Sequence, residues 1–194
     1  MSNRLIVVCM DLPGHLEEAE NLRNQKISSS NGLVSMIYNG YKNLENIIFV
    51  GMGKQLDERF VCVCCPSASF KLHQGYCREK LLPLLNYSAY KNVYLNACES
   101  GLWDGYVKLN QCFAESIMKI LQENDIVWIQ DIGLLLLPSM LRKSLPSSVF
   151  LALFFHSNFP SSEVFKMIPE RRNILEGMLG CDLIGFQVYI LQKL

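Results

Sequence analysis

Three residues combine a useful side chain with a useful position: His156, Asp131 and Gly32. His156 directly follows the apolar run Leu151-Ala-Leu-Phe-Phe155 and opens a polar stretch, His156-Ser-Asn-Phe-Pro-Ser-Ser-Glu163. An imidazole at the end of a buried strand can exchange hydrogen bonds with a ligand, or it can cap the turn that follows. Asp131 follows Val127-Trp-Ile-Gln130 in the same way. Its carboxylate could contact a ligand, or it could cap the helix expected near Leu134. Gly32, after Asn31, opens a helical pattern. A glycine there lets backbone N–H groups approach a phosphate, or it is a plain loop-to-helix junction.

The elements that must hold these residues follow from hydropathy. Short runs that are apolar throughout predict buried strands at 4–9, 47–50, 60–65, 125–130, 149–155 and 183–186. Between them, apolar residues recur at helical spacing. Leu33, Ile37, Tyr41 and Leu44 mark a helix over 32–44. A second runs over 72–85, with Pro83 limiting its last turn, and the most regular one, over 103–122, has Tyr106, Leu109, Phe113 and Ile117 in its stripe. Further helices are expected over 134–145, after a cap at Ser161 or Ser162, and over 171–179 with Gly180 as the stop. Strands alternating with helices predict an α/β fold, a Rossmann-like parallel sheet flanked by helices, with ligands beyond the carboxyl ends of the strands.

Composition excludes several function classes. Half of the 194 residues are hydrophobic and 19% are charged, enough apolar material for a core in a single domain over 1–194. Eighteen basic and eighteen acidic residues cancel, which argues against a general nucleic-acid binder. The mean hydropathy of +0.16 is positive, yet the longest apolar runs are far below the ~18–20 residues of a membrane span. The eight cysteines sit mainly in apolar patterns, as Cys62 and Cys64 do beside valines. They read as reduced core residues of a cytoplasmic protein rather than as disulfides, and strand residues are a better reading of Cys62 and Cys65 than zinc ligands. The dinucleotide glycine fingerprint, the Walker loop and the Gly-x-Ser-x-Gly elbow are absent.

Five stretches, in order, carry a resemblance. Asp125-Ile-Val-Trp-Ile-Gln-Asp131 with Leu134-Leu-Leu-Leu-Pro-Ser-Met-Leu-Arg-Lys143 resembles "DIVWIHDYHLMLLPSMLRK". His156 to Phe165 resembles "HIPFPSSEIF", and Gly180 to Phe186 resembles "GADLIGFH". Trp103 to Asn110 resembles "WxxYxxVN", and Asn31 to Ser35 resembles "GGLVSAL". These segments belong to the trehalose-6-phosphate synthase family, whose members are retaining glycosyltransferases with two Rossmann-like halves, the GT-B arrangement. The resemblance implies that this chain is the N-terminal half, with the C-terminal nucleotide-binding half absent. It implies glucosyl transfer from UDP-glucose to glucose 6-phosphate, in trehalose biosynthesis, without a cofactor or metal. It also implies other trehalose-synthase subunits as possible partners, and neither nucleic acid nor membrane. Three site residues carry over: Gly32 near the donor phosphates, Asp131 as a catalytic and acceptor-side sugar contact, and His156 as the catalytic histidine at the donor glucose.

The departures from the family motifs matter as much. Asp11 stands where the family has a phosphate-holding arginine, a reversal of charge rather than a weakening. Met52 and Leu82 replace tryptophans, His73 replaces an acceptor-contacting tyrosine, and Gln130 and Gly133 replace the two histidines of "HDYH". The expectation is a truncated or regulatory homologue that is inert alone, the alternative being an active glycosyltransferase completed by a second chain or by a missing C-terminal half.

Overall fold

A computed structural model describes residues 3–12, 46–53, 58–85, 101–146, 148–156 and 159–186. Six strands among them form one sheet: β1 (Leu5–Asp11), β2 (Ile47–Met52), β3 (Phe60–Cys62), β4 (Ile126–Gln130), β5 (Phe150–Phe155) and β6 (Leu183–Phe186). Their order is β3-β2-β1-β4-β5-β6, and every neighbouring pair is parallel. Chain order therefore reverses between β1 and β4, the crevice where open α/β sheets bind ligands. The expected Rossmann-like sheet is present.

The strands are apolar throughout because both faces of the sheet are covered. Ile6 and Val8 face one core with Ile129, Leu151 and Leu153, while Val7 and Cys9 face another with Phe49 and Phe60. β3 is shorter than its apolar run predicts. Beyond Cys62, Val63 N–H donates to Gly51 O at 2.8 Å. β2 then ends, so Cys64 and Cys65 have no strand left to pair with.

Helix α1 (Ser67–Gly75) starts ahead of the predicted position, because its opening residues Ser67, Ala68 and Ser69 are small or polar and show no apolar periodicity. It continues as a π-helical segment, Tyr76–Leu81, and a final turn, Leu82–Leu85. Leu82 N–H reaches back to Cys77 O. This wider register accommodates Pro83, which has no N–H for an α-helical bond. Helix α2 (Leu102–Met118) buries Tyr106, Leu109, Phe113 and Ile117 completely, as the periodicity predicts. Gly105 lets it lie against α1, since a Cβ there would sit 2.3 Å from Leu72 Cβ.

The predicted helix over 134–145 is divided. A 3-10 turn, Ile132–Leu134, precedes α3 (Leu137–Arg142), whose first turn holds Pro138 where no N–H is needed. Ser161, not Ser162, caps the short helix α4 (Ser162–Phe165), accepting from Val164 N–H. Helix α5 (Arg171–Met178) packs Gly177 against the backbone of Leu135. At the opposite end of the sheet, Arg4 clamps Asp125 with two bonds, Nε to Oδ1 at 3.0 Å and Nη2 to Oδ2 at 2.6 Å. The predicted helix over 32–44 lies outside the described residues.

Candidate functional site

The carboxyl ends of β1 and β4 adjoin at the switch point, and β5 lies next to β4. Asp131 leaves β4 with φ 67° and ψ 178°, a conformation that costs a non-glycine residue on the order of 1–3 kcal/mol and recurs at functional sites. Its N–H still donates to Phe154 O at 2.9 Å, so the β4–β5 ladder runs up to the bend. Its side chain makes no N-cap hydrogen bond to the second or third residue of the turn that follows, against the helix-capping reading.

The turn after Asp131 is held from two helices. Tyr106 Oη donates to Ile132 O at 2.6 Å and accepts from Leu135 N–H at 3.1 Å. Gly133 O accepts from Asn110 Nδ2 at 3.1 Å and from His73 Nε2 at 2.8 Å. Sequence patterning placed Tyr106 in a core stripe and gave no role to His73 in holding the turn. Their polar atoms fix the loop that presents Asp131, a function that only contacts across the fold reveal.

His156 follows β5, and its Nε2–H donates to Gln130 Oε1 at 3.0 Å. The ring is tilted against Phe154, with centroids 4.7 Å apart. Burial lowers the His156 pKa below the usual histidine value, and the charge of Asp131 works against that fall. Burial raises the Asp131 pKa, opposed by the Ile132 N–H and by His156. Thus the structure brings Asp131 and His156 together on adjacent strand ends. They place a carboxyl group and an imidazole where both can exchange hydrogen bonds with hydroxyl groups. Gly32 lies outside the described residues.

The space beside Gly133 is filled by the chain itself. A Cβ on Gly133 would lie 2.9 Å from Met10 Sδ and 3.3 Å from His73 Cε1. His73 is a core residue, 2% exposed, and stacks on Tyr106 at 5.1 Å with the planes 3° apart. It does not face a ligand as the tyrosine it replaces was expected to do. Burial pushes its pKa down to about 4, so the ring is neutral and donates from Nε2. Asp11 and Met52 stand opposite each other at the ends of β1 and β2. Leu82 packs against the core.

An open groove of about 350 Å³ is lined by Ser139, Arg142, Lys143, Glu176, Leu179 and Gly180, and by neither Asp131 nor His156. Among the described residues, no cluster of three His, Cys, Asp or Glu side chains could hold a metal ion. No helix there is long and apolar enough to cross a membrane.

Residues 4–193 match glycosyltransferase family 20. The chain belongs to that family. An alpha,alpha-trehalose-phosphate synthase [UDP-forming] of Schizosaccharomyces pombe is 34% identical over 97% of this chain and 39% of its own length. A protein of the same organism named putative alpha,alpha-trehalose-phosphate synthase [UDP-forming] 100 kDa subunit is 43% identical over 62% of this chain and 13% of its own length. A solved trehalose-6-phosphate synthase superposes with a TM-score of 0.76 and 24% identity, over 96% of this chain and 41% of that one, a likeness of fold. This member of the family therefore spans about two fifths of the length of the synthases it matches end to end.

Proposed function

We propose that this chain is the first Rossmann-like half of a trehalose-biosynthesis glycosyltransferase, with a sugar-facing rim at Asp131 and His156 but without transfer activity of its own. The family reaction moves a glucosyl group from UDP-glucose to glucose 6-phosphate. In this reading Asp131 accepts hydrogen bonds from sugar hydroxyls. The His156 ring, oriented by Gln130, contacts the donor glucose beside it. Gly32 takes the donor phosphates. No metal or organic cofactor takes part.

The observation that carries the inert reading is the filling of the space beside Gly133 by Met10 and His73. Asp11 adds to it, since a carboxylate cannot donate to the phosphate of glucose 6-phosphate as the family's arginine does. Glycosyl transfer needs both substrates held together, and one half cannot enclose them. The described cysteines are all free, which accords with a cytoplasmic location.

Calorimetry and a turnover assay on the purified chain test the proposal. The expected result is no trehalose 6-phosphate, with any weak UDP-glucose binding reduced by His156→Ala. Turnover abolished by His156→Ala would overturn it. A second reading, an active enzyme completed by another chain, is favoured by one observation: a similar protein carries the name of a synthase subunit. Restoration of turnover on co-expression with the C-terminal half of a related synthase would establish that reading.

A further inference from the structure

Cys112 Sγ lies 3.1 Å from Cys65 Sγ, although the residues are 47 apart in sequence. Both are free thiols. Cys65 lies in the short link between β3 and α1 and is half-buried, whereas Cys112 is 6% exposed on the inner side of α2. A disulfide requires sulfurs about 2.0 Å apart, so closure needs a movement of roughly 1 Å. The link at Cys65 is neither strand nor helix and can supply that movement by rotating a side chain.

We infer that Cys65 and Cys112 are a reversible dithiol–disulfide site that ties the end of β3 to the helix supporting the Asp131 turn. The helix is the relevant one because Tyr106 and Asn110, on the same α2, bond the carbonyls of Ile132 and Gly133. Closing the pair fixes α2 against the β3–α1 link and so stiffens the frame of the rim.

The oxidant is a small-molecule disulfide such as oxidised glutathione. The Cys65 thiol loses its proton and the thiolate attacks one glutathione sulfur. The S–S bond of the oxidant breaks, and one glutathione leaves as thiolate and takes up that proton. Cys112 then loses its proton and attacks Cys65 Sγ. The mixed disulfide breaks, and the second glutathione leaves and is protonated. Two protein thiols are oxidised and one glutathione disulfide is reduced to two thiols. Burial, with the hydrogen bond shared with Cys112, pushes the Cys65 pKa up to about 12; on the same face of α2, Lys108 lowers it and Glu115 raises it. The first step is therefore slow at neutral pH, and its rate climbs about tenfold for each pH unit. Cys64, which is exposed, and Cys62, whose Sγ donates to Gly53 O, are the neighbouring thiols that compete for the oxidant.

The test incubates the full chain with oxidised glutathione, maps the cysteines by mass spectrometry and measures Tm. The expected product is a Cys65–Cys112 linked peptide, lighter by two hydrogen atoms, with Tm raised by about 5–10 °C and restored by dithiothreitol. Cys65→Ser, at the half-buried position, is expected to fold and to lose both the linked peptide and the rise in Tm. Glutathione adducts on Cys62 or Cys64 without the linked peptide would overturn the site. A linked peptide with unchanged Tm would overturn the stiffening.

Discussion

The imidazole of His156 donates from Nε2 to Gln130 Oε1 across 3.0 Å, joining the ends of the neighbouring strands β4 and β5. Gln130 is fully buried, so the ring is anchored from inside the sheet rather than from solvent. The anchor sets the ring beside Asp131, whose charge raises the His156 pKa against the effect of burial.

The juxtaposition can be read by NMR titration. The His156 pKa should fall below the usual value of 6.5, and Asp131→Asn should lower it further by removing the charge that supports the imidazolium. A His156 pKa unaffected by Asp131→Asn would show that the two groups do not share a site.

Replacing Gly133 tests the close packing of Met10 and His73 around it. A histidine at this position would collide with Met10 and His73, because even a Cβ lies within 2.9 Å of Met10 Sδ. Gly133→His should cost about 1–3 kcal/mol or more by overpacking. Met10→Ala should relieve part of that cost, giving a favourable coupling of about 1 kcal/mol in denaturant unfolding of the four proteins of the cycle. Strict additivity would mean that Met10 does not occupy that space.

His73 makes the fold sensitive to acid. Its pKa is depressed from 6.5 to about 4 by burial. The unfolded chain therefore takes up a proton near 6.5, whereas the folded chain resists until about 4. The stabilisation is complete above the upper value and is lost as pH falls through the lower one, on the order of 3 kcal/mol in all. Urea unfolding at stepped pH should show this decline. In His73→Phe the slope should flatten, although stability at neutral pH drops because Gly133 O loses a donor.

Arg4 and Asp125 give a prediction for the opposite end of the sheet. The Asp125 side chain is 2% exposed and receives Arg4 in two bonds, with Gln122 N–H as a further donor at 2.8 Å. Arg4→Met leaves a buried carboxylate short of its counter-charge and should cost about 3 kcal/mol. Thermal unfolding checks this, and the double variant Arg4→Met with Asp125→Leu should recover part of the loss.

The strand runs, the stripe of Tyr106, Leu109, Phe113 and Ile117, and the placing of Asp131 and His156 directly after β4 and β5 were all legible in the chain. Each follows from local rules: an element buried on both faces must be apolar throughout, and a helix packed on one face must repeat near every fourth residue. The order of the strands was not legible, since local patterning does not choose which strand lies beside which. Nor was the place of His73. A polar ring on a half-apolar helix can point to a ligand or to the core, and only the carbonyl of Gly133, 60 residues away, makes burial affordable by accepting its proton donor. The bend at Asp131 belongs to the same class, because Tyr106, Asn110 and His73 hold the turn that follows it from two other helices. The meeting of Cys65 with Cys112 is another case, since sulfurs 47 residues apart come together through the packing of α2 and through nothing in their local sequence.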